Sequence, residues 1–271
     1  MDKRPIGVFD SGLGGLTAVH SLQQLLPGED IVYFGDTARV PYGGRTKETL
    51  LSYALQDVRF LRSFDLKAIL VACGTLSTTT LPGLRAANEL PILGVVDAAC
   101  RKAAAVTRSR KIGVIATQAS IRSGAYEAGI RALAPSAEVL GQGCPLLAPL
   151  VENGRIHRGD VVIETVVREY LEPLLDRGID TLVLGCTHYP VLTEIIQDIC
   201  GEGVELVSAS AEAAAELGEL LKQRELLSAA ESGGSLSIYV SDRPEEFERM
   251  AAVVLQSGLD RAVRRIDIDQ Y

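Results

Sequence analysis

The sequence predicts an α/β protein made of two similar α/β domains with mostly parallel sheets and a candidate active site in the cleft between them. Two observations carry the prediction. Short apolar runs rich in β-branched residues alternate with longer segments of helical period. In addition, a pattern of strand, small residue, Cys and polar turn occurs twice. In a parallel sheet of this kind, functional residues belong at the C-terminal ends of the strands.

Taken in order, the first run, Ile6–Phe9, leads into Asp10-Ser11-Gly12-Leu13-Gly14-Gly15, a turn before a helix that can offer backbone N–H groups to an anion. The third glycine of a dinucleotide fingerprint would fall on Thr17, and no P-loop Lys-Ser/Thr pair follows, so nucleotide binding is not expected. Ile31–Phe34 opens a polar loop over Tyr33–Gly44 that bends at Pro41 and ends on glycines, as a lid or binding loop would. Ala68–Ala72 delivers Cys73, and Ile92–Val96 closes the first set of strands. Ile112–Ala116 leads into Thr117, Thr181–Leu184 delivers Cys186, and Val204–Val207 follows. A Gly/Ser break at Ser232–Ser235 precedes Leu236–Val240, and amphipathic helices are expected over Ala211–Leu227 and Pro244–Gln256.

The repeat sets the domain organisation. Asp65–Thr75 matches Gly178–His188, each continuing through a proline, Pro82 or Pro190, into a helix, and Ile6–Ser11 echoes Ile112–Thr117. Two matches in the same order indicate two related halves, with residues 1–97 and 208–271 as the Cys73 side and residues 98–207 as the Cys186 side. If both present their Cys-bearing strand ends to one cleft, the thiols face each other.

Hydrophobic residues make up 47% and charged residues 23%, as in an ordinary folded globular chain. No apolar run approaches the roughly 20 residues of a membrane span, and the first residues lack a signal peptide's apolar stretch, so a cytoplasmic protein without membrane association is expected. Five widely spaced cysteines then read as reduced thiols. The net charge of −8 disfavours nucleic acid as a partner. It also opposes any anionic substrate, which must be held by local devices such as backbone amides at helix N-termini.

At a strand-to-helix turn the helix N-terminus favours a thiolate, so both Cys73 and Cys186 are expected to have lowered pKa values. Cys100, Cys144 and Cys200 read as structural. Opposed thiol and thiolate suit inversion of a stereocentre, which needs a base on one face of the carbon and an acid on the other. His188 either partners Cys186 in proton transfer or contacts the substrate, and Asp10 does the same on the Cys73 side; the alternatives are that His188 satisfies a buried carbonyl and Asp10 caps the helix beginning near Gly14. His20 and His157 have no Cys or carboxylate at metal-ligand spacing, so no metal site is expected.

Together, Phe9–Thr17, Gly35–Gly43, Cys144-Pro145 through Pro149–Glu152, and Gly185–Pro190 resemble the glutamate racemases of the aspartate/glutamate racemase family. The resemblance runs from Gly7 to about Val207. It implies interconversion of L- and D-glutamate for peptidoglycan synthesis, cell-wall biogenesis and cell shape, no pyridoxal phosphate, no metal, and a homodimer. It also implies Cys73 and Cys186 as the two bases, with Asp10, His188 and Glu152 in the catalytic set. Asp10, Ser11, Pro41, Tyr42, Gly43, Gly74, Thr75, Thr117, Ser120, Thr187 and His188 would surround the substrate. Gly74 departs from the Asn usual after the first Cys, so one side-chain amide is missing. Ser120 for Thr, and Ser208-Ala209 for a frequent Asp-Ser pair, are milder departures. A related two-thiol racemase acting on aspartate or another amino acid, or a non-catalytic binding protein on the same scaffold, would share much of this pattern.

Overall fold

Every strand pairing among the described residues is parallel, in two separate sheets. The structure, a computed structural model, describes residues 2–255 and 262–271. In chain order the strands are β1 (Ile6–Asp10), β2 (Ile31–Gly35), β3 (Ala68–Val71), β4 (Ile92–Gly94), β5 (Lys111–Ala116), β6 (Glu138–Gly143), β7 (Thr181–Leu184), β8 (Glu205–Ser208), β9 (Leu236–Val240) and β10 (Val263–Arg265). One sheet runs β10-β9-β2-β1-β3-β4 and the other β6-β5-β7-β8. The stretch β2-β1-β3-β4 repeats as β6-β5-β7-β8, so the internal sequence repeat corresponds to a repeat of strand order. Each Cys-bearing strand lies beside its half's first strand, with Phe9 opposite Val71 and Ile115 opposite Leu184.

The interiors of β1 and β3 are buried along their whole length because helices cover both sheet faces, and this is why they read as continuous apolar runs. Ile6 and Val8 point into a core that also takes in Ile112, Val114 and Leu182 of the second sheet, whereas Phe9, Ile69 and Val71 point into a second core on the outer face. The helices Leu16–Leu25, Val95–Val106 and Ala209–Gln223 pack together between the sheets. No helix among the described residues is long and apolar enough to cross a membrane.

Several boundaries differ from the sequence expectation. The run Ile92–Val96 stops as a strand at Gly94, because the Val95 N–H donates to Ser77 Oγ (3.2 Å) and starts the helix Val95–Val106. Ala68–Ala72 ends one residue early at Val71, and Val204–Val207 is shifted to Glu205–Ser208. The helix expected over Ala211–Leu227 spans Ala209–Gln223. Ser208 Oγ caps its start, accepting from Ala211 N–H at 3.3 Å, and Glu225 at φ 57° ends it. The helix from Pro244 is described to Leu255, and Gln256 lies outside the described residues. Two strands were missed. β6 is a half-exposed edge strand broken by Gly and Gln, and β10 is a three-residue edge strand.

At the end of the first sheet remote from Cys73, Lys67 is a fully buried lysine paired with the buried Glu29. Its Nζ also donates to the carbonyls of Leu226 (3.0 Å) and Asp2 (3.2 Å), while Glu29 Oε1 accepts from Ser228 N–H at 2.7 Å. The pair therefore joins the start of β3 to the N-terminus and to the segment that enters β9. Removing one partner strands a buried charge, so Lys67→Met should lower the unfolding free energy by about 3–5 kcal/mol. The double variant Lys67→Met with Glu29→Leu should recover most of that loss in urea melts.

Candidate active site

The two Cys-bearing turns meet at the C-terminal ends of β3 and β7, on either side of a cleft of about 470 Å³, an ordinary size for a small-molecule site. Cys73 and Cys186 both line it, as do Ser11, Pro41, Tyr42, Gly43, Gly74, Thr75, Thr117, Glu152, Thr187 and His188. Asp10 and Ser120 are not on its wall. Asp10 lies behind the Gly-rich turn, with Oδ2 accepting from the N–H groups of Gly12 (3.2 Å) and Gly15 (3.0 Å), and Ser120 Oγ accepts from Thr117 Oγ1 at 3.0 Å. The helix expected near Gly14 begins at Leu16, with Gly15 as its N-cap, so Asp10 braces that turn.

Val40 and Gly44, within the expected binding loop, also line the cleft, and Gln118, Cys144, Pro145, Ala148, Pro149 and Tyr189, not singled out as site residues from the sequence, complete the wall. Cys144, read as structural, is buried, with its thiol directed at the Gln142 carbonyl (3.6 Å). The signal for most of these was present, since Cys144 through Glu152 and Gly185 through Pro190 lie in the stretches that carry the resemblance. A second hollow of about 460 Å³ lies elsewhere, lined by His20, Ile156, His157, Arg158 and Glu194 among others, and it contains no thiol.

Cys73 is the N-cap of the short helix Gly74–Thr79, and its thiol donates to Ser11 Oγ at 3.7 Å. The expectation of a lowered pKa fails here. Burial, reinforced by the nearby Asp10 charge, pushes the Cys73 thiol well up, and the backbone N–H of Leu76 offsets this only in part. Cys186 has no regular helix directly behind it, because a 3-10 turn, Tyr189–Leu192, intervenes before the helix Thr193–Cys200. The helix-dipole argument therefore does not transfer to Cys186.

The local partner of Cys186 is a side chain. Its Sγ lies 3.7 Å from His188 Nδ1, and His188 Nε2 lies 2.9 Å from Glu152 Oε1. Burial alone would push the imidazole down, but the hydrogen bonds to Cys186 and Glu152 win and raise it to about 10. The two ring nitrogens of His188 thus face the Cys186 thiol and the Glu152 carboxylate and not a buried carbonyl. On the other side, burial pushes Asp10 up against the opposing pull of His188.

Two glycines set how closely the halves approach, Gly74 against a backbone carbonyl and Gly14 against side-chain atoms. A Cβ on Gly74 would stand 2.4 Å from the Gly185 carbonyl oxygen, and one on Gly14 would stand 2.2 Å from Thr187 Oγ1 and 2.7 Å from His188 Nδ1. Thr75 Oγ1 and Thr117 Oγ1 hydrogen-bond across the cleft at 3.0 Å, and Thr17 Oγ1 donates to the Thr187 carbonyl at 3.0 Å. Among the described residues, no three His, Cys, Asp or Glu side chains converge so as to hold a metal ion.

A family model described as Asp/Glu/Hydantoin racemase matches residues 17–217. A glutamate racemase of Geobacter metallireducens is 44% identical over 250 residues, 92% of each chain. A crystal structure of a glutamate racemase isoform from Bacillus anthracis superposes with a TM-score of 0.93 at 37% identity, covering 98% of both chains. One of the Francisella tularensis glutamate racemase in complex with D-glutamate gives 0.90 at 37% identity over the full length of both.

The Gly74 contact changes what an added amide would do at this position. Gly185 presents a backbone carbonyl that cannot swing away, so Gly74→Ala and Gly74→Asn should both force the two turns apart. A displacement of about 1 Å costs on the order of a hundredfold in turnover, so kcat should fall roughly ten- to hundredfold in both variants. Kinetics in both directions, with a thermal melt to verify folding, measure this. A folded Gly74→Asn protein with unchanged kcat and a lower KM would show that only an amide is missing.

Proposed function

The chain belongs to the Asp/Glu/hydantoin racemase family, and from that membership we propose that it interconverts L- and D-glutamate through proton exchange by Cys73 and Cys186 on opposite faces of Cα. It is an amino-acid racemase, an enzyme of the isomerase class. The observation that carries the mechanism is the placement of two buried thiols at equivalent strand ends facing one cleft.

The α-proton of an amino acid is weakly acidic, so its removal needs a strong base held in contact with it. Desolvation supplies that strength. A thiolate that costs much to form, as at Cys73, is a stronger base once formed than one in water. In one direction a thiolate on one side takes the proton from Cα, leaving the electron pair delocalised onto the adjoining carboxylate, and the opposite thiol delivers its proton to the other face. In the reverse direction the roles exchange. One proton enters and one leaves, so no redox partner and no cofactor are required.

His188, held by Glu152, supplies or retains the proton at Cys186, while Ser11 orients the Cys73 thiol. Asp10 acts from behind the wall by bracing the Gly-rich turn and setting the charge around Cys73. The described lining includes no Lys or Arg. The substrate carboxylates are therefore met by hydroxyls of Ser11, Thr75, Thr117 and Thr187 and by backbone N–H groups. Positions Pro41, Tyr42, Gly43 and Gly74 close the remaining wall, and Ser120 fixes the Thr117 hydroxyl. The D-glutamate formed serves peptidoglycan synthesis, and through it cell-wall biogenesis and cell shape, in the cytoplasm, with two copies of the chain forming a homodimer.

Cys73→Ala and Cys186→Ala should each lower racemisation in both directions by at least roughly 10²–10⁴-fold, the usual range for one positioned acid or base. Circular dichroism should show the fold retained, and the assay contains chelator and no added cofactor. Near-wild-type racemisation in either single variant would remove the two-thiol mechanism.

A further inference from the structure

Tyr42 opens the 3-10 turn Tyr42–Gly44 on the cleft wall, with its ring buried and packed against Tyr53, ring centroids 5.8 Å apart. A Cβ on either of the next two residues, Gly43 or Gly44, would meet nothing within 4 Å. The Tyr42 hydroxyl donates to Asp36 Oδ2. Asp36 is fully buried and is itself held at both oxygens. Oδ1 accepts from Ser241 Oγ at 2.9 Å, and Oδ2, shared with Tyr42, accepts from Arg39 Nε at 2.5 Å.

The far end of the Arg39 guanidinium is gripped by the helix Lys47–Leu61. One terminal nitrogen donates to Gln56 Oε1 at 2.6 Å and the other to Asp57 Oδ1 at 2.9 Å, and the guanidinium carbon stands 4.2 Å from the centre of the Tyr53 ring. Asp57 is fully buried yet is not on the cleft wall, and its Oδ2 has no hydrogen-bond partner among the described residues. A carboxyl group kept buried at that expense needs a reason beyond packing.

We propose that Asp57 is a positioning residue for substrate binding, acting through Arg39 and Asp36 to hold Tyr42 against the cleft. A guanidinium is a rigid planar fork, so fixing its terminal nitrogens fixes the direction in which Nε points. With Asp57 gone, the fork can rotate and Asp36 loses its fixed cation. Tyr42 then loses the acceptor for its hydroxyl and keeps only the packing of its ring against Tyr53. The thiols stand on other walls of the cleft, so the effect falls on binding and leaves proton transfer largely intact. The inference rests on this cleft being the glutamate site. A wild-type protein with no glutamate turnover would remove that reading, whereas active variants with unchanged KM would remove only the role of Asp57.

The test is a double-mutant cycle on glutamate kinetics with Asp57→Ala, Tyr42→Phe and the pair, alongside Asp57→Asn, which keeps an oxygen acceptor for Arg39. Asp57→Ala should raise KM about five- to twentyfold with kcat within about threefold, and in the Tyr42→Phe background it should add less than about twofold. Asp57→Asn should recover most of the loss. If Asp57→Ala does not fold, Arg39→Lys, which keeps the charge and loses the fork, should show the same KM rise and the same non-additivity. Equal factors in both Tyr42 backgrounds, a fall in kcat with KM unchanged, or a wild-type KM in folded Arg39→Lys would each overturn the proposal.

Discussion

The Cα of Gly74 lies against the Gly185 carbonyl so closely that a side chain does not fit between them, and Gly14 does the same against Thr187 and His188. These are contacts of backbone with backbone, or of backbone with the turn that bears a catalytic candidate. They decide how far apart the two Cys-bearing strand ends stand. Side chains in a packed interior can adjust by changing rotamer, whereas a peptide carbonyl fixed by its own strand cannot. Here it follows β7, and the Gly185 N–H donates to the Ile115 carbonyl at 2.8 Å. Two sheets, the helices shared between them and the paired hydroxyls of Thr75 and Thr117 then converge on one spacing.

Within that spacing the electrostatics are arranged without a metal ligand set among the described residues and without a Lys or Arg on the described wall. The two thiols are handled differently although their strands are equivalent. Cys73 is made costly to ionise by burial and by Asp10, and Cys186 sits beside an imidazole whose hydrogen bonds to Cys186 itself and to Glu152 outweigh burial and raise it to about 10. Two-fold repetition therefore supplies the opposed geometry, while unlike neighbours give the two thiols different electrostatic surroundings. A symmetrical pair of low-pKa thiols, as the strand-turn pattern alone suggests, would be weaker bases for a carbon acid.

The sequence made most of this architecture legible because buried parallel strands write themselves as apolar runs. Ile6–Phe9 and Thr181–Leu184 lie inside strands with nearly those bounds, and the echoes of Ile6–Ser11 in Ile112–Thr117 and of Asp65–Thr75 in Gly178–His188 foreshadowed the repeated strand order. Edge strands leave no such mark, so Glu138–Gly143, half-exposed and glycine-bearing, passed unseen. The site was legible to the same extent. Cys73, Cys186, Tyr42 and His188 all reach the cleft, but Asp10 and Ser120 stand behind it, a distinction that depends on side-chain direction and not on sequence position. The sense of the Cys73 shift was misread because burial is a tertiary property that outweighs a local helix end. Gly74 read as a missing amide because the Gly185 carbonyl opposite it comes from a strand more than a hundred residues away.

The central claim is that two different groups act on the two faces of one carbon, and isotope incorporation tests it most directly. L-glutamate is incubated with the protein in D2O, and both enantiomers are separated at low conversion and examined for deuterium at Cα. Thiol protons exchange with solvent, so the account predicts that newly formed D-glutamate carries deuterium while the recovered L-glutamate keeps its original proton. Deuterium entering recovered L-glutamate as fast as it enters D-glutamate, or D-glutamate retaining the substrate's own proton, would point to a single base and contradict the account.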